Sequence, residues 1–286
     1  MKIIFLALSL FVSVLVLEAQ TAIPVSISKN GHILVKAKIN NVEGSFILDT
    51  GAGLHVMSNR FYQKVKHQVL DSSGFTAFRH TGERLDLKTY QFEQVSLNPL
   101  SQSNAWVGVY PGFDEMGFDG LISCKLFEND LLTIDVKNSQ LIVESRQSLP
   151  KKIQHTLPLI LHDNRGLALD IFIEMVVDST HRAVMEFDTG AGYSPVNLHT
   201  RYIALANADT TAMEIRMSQT GFGTTVKTYF DKTKKVHTQV PGATEGGYPN
   251  IMFKPSLIYD GAISHVIFGD TPWTLDIANR KLYLLK

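Results

Sequence analysis

Apolar and polar residues alternate along much of the chain with the period of two that is typical of half-buried β-strands. Residues 33–39 alternate in this way, and Asn30-Gly31 just before them is a strong signal for a two-residue hairpin. Residues 167–177 form a second apolar stretch, after turn residues at 163–166. Helical patterns are scarce, and we expect helices only at 59–69 and 198–206 and a single turn at 125–127. The pattern therefore predicts an all-β fold.

Four blocks of sequence occur twice and in the same order. The first block, Phe46–Gly53, recurs as Met185–Gly192. Equivalent residues of the two copies, such as Thr50 and Thr189, are separated by 139 positions. The other pairs begin at Thr81 and Thr220, at Asp119 and Asp260, and at Thr133 and Thr274. Such order predicts two copies of one supersecondary unit. We assign residues 21–150 to an N-terminal lobe and 151–286 to a C-terminal lobe, joined at the polar, proline-containing segment 148–152.

Composition narrows the possible functions. Of the 286 residues, 27 are basic and 27 acidic, so the formal net charge is zero, which argues against nucleic acid as a partner. The hydrophobic share of 44% is sufficient for a sizeable core. The single cysteine, Cys124, excludes an intrachain disulfide framework and a thiolate zinc cluster.

The amino-terminal segment predicts export. Residues 3–17 are apolar apart from Ser9 and Ser13, and this run is short for a membrane span of about 20 residues. It fits a signal peptide over residues 1–20 better, which predicts a secreted or periplasmic protein with no stable membrane insertion after cleavage. An uncleaved anchor is the alternative.

The repeated block contains Asp-Thr-Gly-Ala, and its residue types fit one kind of chemistry. A carboxylate ends a predicted apolar strand, as Asp49 in one copy and Asp188 in the other. The threonine hydroxyl can hydrogen-bond backbone, and the glycines allow a tight turn and close backbone approach. A pseudo-twofold axis between the copies would bring the two carboxyl groups together, where they share one proton. One then acts as a base on water while the other donates to a carbonyl, which hydrolyses a peptide bond without a metal.

These two blocks resemble the catalytic loops of aspartic peptidases, and the alanine after the glycine resembles the retropepsin branch. The resemblance implies a two-lobed fold with a cleft, like two retropepsin-like domains fused in one chain. It implies catalytic aspartates at Asp49 and Asp188, no metal or organic cofactor, and a peptide or protein substrate bound as an added β-strand. It also implies loop-bracing and substrate-binding roles for Thr50, Gly51, Ala52, Thr189, Gly190 and Ala191, and flap hairpins at Gly82 and at Gly221 and Gly223.

Three departures from the family pattern bear on activity. Ser123 and Ser264 replace the glycine that usually ends the strand behind the catalytic loop. Two interpretations stay open: their side chains crowd that loop, or the change, which both copies share, is tolerated. The flap tyrosine of pepsins is missing beside Gly82 and Gly221, and Tyr90 and Tyr229 are expected further along the descending arms. Ala52 and Ala191 carry no hydroxyl to bond the carboxylates, so we expect a pH optimum at mild acidity or neutrality.

Other interpretations of the same residues stay open. The fold could serve a catalytically weak or inactive peptide-binding module, or the copies could pair between two chains, although we expect a monomer with both aspartates from one chain. Asp49 and Asp188 could instead end ordinary turns. A dinucleotide fingerprint is excluded because its third glycine is replaced by Val56 and Pro195. The ten histidines show no metal-binding spacing.

Overall fold

A computed structural model describes residues 21–145, 152–177, 181–194, 196–205, 209–219, 225–231 and 251–286. The predicted signal peptide, most of the predicted linker, and Gly221 and Gly223 lie outside the described residues. The described chain is mostly β-structure in two sheets, so the prediction of an all-β, two-lobed fold is confirmed. The exact lobe boundaries stay a prediction.

The strands follow the chain in two series. The first series is β1 (Thr21–Pro24), β2 (Ser26–Ile27), β3 (Ile33–Ile39), β4 (Val42–Asp49), β5 (His55–Met57), β6 (Asp71–Phe78), β7 (Arg84–Leu97), β8 (Leu100–Val109), β9 (Gly120–Ser123), β10 (Asp130–Asp135) and β11 (Gln140–Ser145). The second is β12 (Ile153–Asn164), β13 (Ala168–Val177), β14 (His181–Phe187), β15 (Val196–His199), β16 (Glu214–Gln219), β17 (Thr225–Asp231), β18 (Ile251–Lys254), β19 (Gly261–Ile263), β20 (Trp273–Asp276) and β21 (Lys281–Leu285).

Helical structure is sparse, as the sequence predicts. The first helix, α1 (Asn59–Val65), begins where the Ser58 hydroxyl accepts a hydrogen bond from the Phe61 amide at 3.0 Å. The second, α2 (Arg201–Leu205), begins later than predicted because residues 198 and 199 belong to β15. The remaining helical segments are 3₁₀ turns at Lys66–Gln68, Pro111–Phe113, Cys124–Phe127, Thr189–Ala191, Thr210–Ala212 and His265–Phe268.

The two halves repeat the same strand order. In the first half the sheet runs β2-β3-β4-β9-β5-β8-β7-β6, and the second half runs β12-β13-β14-β19-β15-β18-β17-β16. Within each half the catalytic-loop strand pairs parallel to a later short strand, β4 with β9 and β14 with β19. Every strand from β2 to β11 has its counterpart ten strands later.

A sheet shared by both halves joins the lobes. Its strands lie in the order β1-β11-β10-β20-β21-β12, and the central contact is the antiparallel pair β10 and β20. Thr133 and Thr274 face each other there, with their Oγ1 atoms 2.7 Å apart. Because these residues occupy equivalent positions in the two copies, the pseudo-twofold axis passes between them.

The buried side of this architecture is apolar, as the alternation predicts. Ile33, Val35, Ala37 and Ile39 are each at most 1% exposed, and the aromatic rings of Phe187, Phe268 and Trp273 pack together beneath the second lobe. Among the described residues no helix is both long enough and apolar enough to cross a bilayer. The packed strands hold the loops that follow β4 and β14 at the interface between the lobes.

Candidate active site

The two repeated aspartates meet at the floor of the cleft between the lobes. Asp49 is the last residue of β4, and Asp188 directly follows β14. Their carboxyl groups are hydrogen-bonded to each other. The Asp49 carboxylate also accepts hydrogen bonds from the Gly51 amide at 2.9 Å and from the Gly190 amide at 3.2 Å. Each lobe therefore supplies one carboxyl group and part of the other's surroundings.

The glycines after the threonines are required by the close approach of the opposite aspartate. A Cβ atom at Gly190 would lie 2.4 Å from an Asp49 carboxylate oxygen, and one at Gly51 would lie 2.8 Å from the Asp188 carboxyl carbon. Both distances are shorter than any side chain tolerates, so only glycine fits at either position. The sequence predicted a tight turn and a close backbone approach at these glycines, and the structure shows that the approaching group is the aspartate of the other lobe.

Thr50 and Thr189 cross-brace the two loops beneath the carboxyl groups. The Thr50 amide donates to Thr189 Oγ1 at 3.0 Å, and the Thr189 amide donates to Thr50 Oγ1 at 2.9 Å. The Thr189 hydroxyl then donates to the Leu48 carbonyl at 2.7 Å, and the Thr50 hydroxyl donates to the Phe187 carbonyl. Both side chains are buried, so these bonds form away from competing water.

The serines that depart from the family pattern hold the catalytic loops instead of crowding them. Ser123 Oγ donates to the Gly53 carbonyl at 3.1 Å, and Ser264 Oγ donates to the Gly192 carbonyl at 2.6 Å. Both serines are buried. Of the two interpretations, these hydrogen bonds favour a tolerated change, because each hydroxyl bonds a carbonyl of the loop that it adjoins.

The carboxyl pair differs in proton affinity. Burial, followed by the negative charge of Asp49, raises the pKa of Asp188 well above its usual value. Burial raises the pKa of Asp49 as well, but hydrogen bonds from nearby amides and from Asp188 oppose this rise. The hydrogen bonds that Asp49 accepts from the Gly51 and Gly190 amides favour its charged form, so with one proton on the pair we assign the proton to Asp188 and the negative charge to Asp49.

A hairpin formed by β6 and β7 covers the cleft and touches the second lobe. Its tip contains Gly82, whose φ of +83° lies in the left-handed region. The Ile258 amide of the second lobe donates to the His80 carbonyl of this tip at 3.0 Å. The cleft has a volume of about 820 Å³, and the residues that line it include Asp49, Asp188 and their neighbours Gly51, Ala52, Gly190 and Ala191.

The equivalent hairpin of the second lobe is described only along its arms. The antiparallel pairing of β16 with β17 extends from the pair Glu214 and Phe230 to the pair Gln219 and Thr225. The tip with Gly221 and Gly223 lies outside the described residues. Tyr90 and Tyr229 lie on the descending arms, β7 and β17, as expected. The flap roles of Gly82, Gly221 and Gly223 stay predictions.

Several charged residues of the cleft were not singled out from the sequence. Glu186, Asp170 and Lys254 line the second-lobe wall, and His80 reaches it from the hairpin tip. Ligand atoms of His80, Glu186 and Asp188 lie within 4.8 Å of one another, which is a spacing that a metal ion could bridge. Glu186 was detectable, because it stands two residues before Asp188 and its counterpart in the first copy is Ile47.

Comparisons with known proteins agree with this geometry in the first lobe. Residues 35–125 match a family model described as aspartyl protease. The first lobe is similar to aspartyl proteases. This match supports an aspartic peptidase activity with peptide substrates. A solved structure titled "Crystal structure of edgp" aligns over 93% of this chain and 94% of its own, at 10% identity and a TM-score of 0.48. No curated protein matches the chain.

Proposed function

We propose that this protein is an exported aspartic endopeptidase, secreted or periplasmic, that acts as a monomer. The observation that carries the proposal is the hydrogen-bonded pair of Asp49 and Asp188, one from each copy of the repeat, at the floor of the cleft. The predicted signal peptide motivates export. Because one chain supplies both carboxyl groups, the site needs no second copy.

The proposed reaction uses the unequal protonation of the pair. Asp49, as the carboxylate, takes a proton from a water molecule while that water attacks the scissile carbonyl carbon, and Asp188 donates its proton to the carbonyl oxygen. The tetrahedral diol then collapses. Asp49 delivers its proton to the leaving nitrogen, and a diol hydroxyl returns a proton to Asp188. The pair ends in its starting state, and no covalent intermediate or cofactor takes part.

The remaining predicted site residues would support this reaction without reacting. Thr50 and Thr189 would hold the two loops in register, and Gly51 and Gly190 would let the carboxyl groups approach. The hairpin tip at Gly82 would close over an extended peptide and exclude bulk water, which strengthens the electrostatic interactions inside the cleft.

The proposal is tested by incubating the purified chain without residues 1–20 with an unfolded protein between pH 3 and pH 8. We expect cleavage within the substrate, and we expect inhibition by a peptide mimic with a hydroxyl-bearing carbon in place of the scissile amide. If the folded protein neither cleaves any unfolded substrate nor binds the mimic across this range, the proposal is wrong.

The alanines beside the carboxyl groups give a prediction on pH. Asp188 holds its proton up to its raised pKa, so activity is expected to persist to mild acidity or neutrality and to fall as the pH rises through that pKa. Replacing both Ala52 and Ala191 by serine adds a donor to each carboxylate. A charge-assisted hydrogen bond of this kind is expected to move the optimum down by about one pH unit.

The measurement is the pH profile of kcat/KM for the wild type and the double serine variant on one substrate. Glycine at the same two positions serves as the control, because it changes the side chain without adding a donor. An unchanged profile for the serine variant would contradict the argument.

A further inference from the structure

Glu186 places a carboxyl group on the cleft wall where the first lobe has an apolar residue. Side chains two apart on a strand point to the same face, so Glu186 shares the cleft face with the position of Asp188. Its counterpart in the first copy, Ile47, lines the cleft on the other side of the aspartate pair. The two walls beside the aspartate pair therefore differ by one carboxyl group.

The Glu186 carboxyl group is buried without a strong partner. The residue is 7% exposed, and among the described residues the nearest basic group is His80, whose Nδ1 atom lies 4.0 Å from Glu186 Oε2. Burial and the charges of Lys254 and Arg79 lower the pKa of His80 to about 4, so this imidazole is neutral near pH 7. No described donor forms a hydrogen bond to the Glu186 carboxyl group.

The surroundings of Glu186 favour a cation. Burial, then the negative charges of Asp188, Asp49 and Asp170, raises the pKa of the Glu186 carboxyl group well above its usual value. A positive group brought into this wall would relieve both the desolvation and the repulsion. Lys254 also lines the cleft, but it does not lie within 4.0 Å of any Glu186 oxygen.

The first-lobe wall has the opposite character. Ile47, Val56, Leu87, Phe113 and Phe118 form a buried apolar cluster there, and all five line the cleft. In an extended peptide, successive side chains point to opposite sides. The two residues that flank the scissile bond therefore face different walls, one apolar and one acidic.

We propose that the Glu186 wall is a subsite for a basic side chain, lysine or arginine, directly beside the scissile bond, opposite an apolar subsite around Ile47. This inference rests on the proposed peptidase function and names the substrate class of the same site. An ammonium or guanidinium group there would form an ion pair with Glu186 at the inner end of the subsite.

The test uses four peptide mimics with a hydroxyl-bearing carbon at the scissile position. The first mimic has lysine before that position, the second has lysine after it, the third has lysine on both sides, and the fourth has none. Norleucine occupies each flanking position that does not carry lysine. Dissociation constants are measured with EDTA present, so that no metal ion bridges His80, Glu186 and Asp188. We expect lysine on one side alone to tighten binding at least about tenfold over the norleucine mimic, and lysine on the other side to weaken it.

Variants assign this preference to Glu186. Glu186→Gln is expected to abolish the gain from lysine, and Glu186→Ile, which copies Ile47, is expected to reverse it. Glu174→Gln removes an exposed carboxylate on the neighbouring strand β13 and is the matched control, for which we expect the wild-type preference. Binding of the norleucine mimic reports that each variant is folded.

The outcomes separate this inference from the proposed function. If the norleucine mimic binds but lysine gives no gain on either side in the wild type, the basic subsite is wrong and the peptidase proposal stands. The subsite is also wrong if Glu186→Gln keeps the lysine preference. If no mimic binds and no substrate is cleaved, the peptidase proposal itself fails.

Discussion

Asp49→Asn and Asp188→Asn are each expected to lower kcat/KM on an unfolded protein by about 10²- to 10⁴-fold. Asp49→Asn removes the base that takes the proton from water, and Asp188→Asn removes the acid that protonates the carbonyl oxygen. An amide is close in size to a carboxyl group but exchanges no proton in this pH range, so the change acts on the chemistry more than on the packing.

The same variants are expected to stay folded. Both carboxyl groups lie at the lobe interface, where desolvation disfavours the charged form, so a neutral amide does not add a desolvation cost. Asp163→Asn, at the exposed end of β12, is the control and should keep wild-type activity. Activity is measured on an unfolded protein and folding by thermal denaturation. Full activity in either dyad variant would exclude the mechanism proposed here.

Thr50→Val and Thr189→Val are each expected to destabilise the protein by roughly 2–4 kcal/mol. Valine has nearly the shape of threonine but no hydroxyl, so each change leaves the partner threonine's buried amide without an acceptor. Each also leaves a carbonyl without its donor, Phe187 in the first variant and Leu48 in the second. Because these bonds cross the lobe interface, we expect kcat/KM to fall as well.

Serine at the same positions is the control for this prediction. Thr50→Ser and Thr189→Ser keep the hydroxyl and lose only a methyl group, so they should retain most of the stability and the activity. The free energy of unfolding is measured by urea denaturation. Valine variants as stable as the serine variants would contradict the bracing role of the two hydroxyls.

The fold class could be predicted because the sequence patterns that indicate β-strands and turns are local. Alternation at 33–39 indicated a half-buried strand, and that segment is β3. Asn30-Gly31 indicated a two-residue hairpin, and β2 does pair with β3 there, but the connection over residues 28–32 is longer than predicted. The start of the second helix was predicted wrongly, because a short apolar segment is compatible with either a helix or a strand. Residues 198 and 199 could have begun a helix, but tertiary pairing of β15 with β18 and β19 makes them strand.

The site was predictable in part for a different reason. The repeat singled out Asp49, Asp188 and the two threonines, because a duplicated motif shows which residues have equivalent positions. The sequence left open whether Ser123 and Ser264 crowd the loop, because a hydrogen bond to the Gly53 or Gly192 carbonyl depends on where the loop lies. Glu186 was missed because a search for repeats selects positions with the same residue in both copies. At this position the residues differ, with Ile47 in the first copy and Glu186 in the second.

By itself, the sequence determined that the chain is β-rich and duplicated and that each copy carries one Asp-Thr-Gly-Ala block. These properties follow from residue periodicity and from self-similarity, which need no knowledge of distant contacts. Only the tertiary structure decided that the two aspartates share a hydrogen bond, that each glycine faces the opposite carboxyl group, and that Glu186 turns into the cleft without a strong partner. Those contacts join residues that lie far apart along the chain, and they exist only once packing of β10 against β20 has fixed how the two copies face each other.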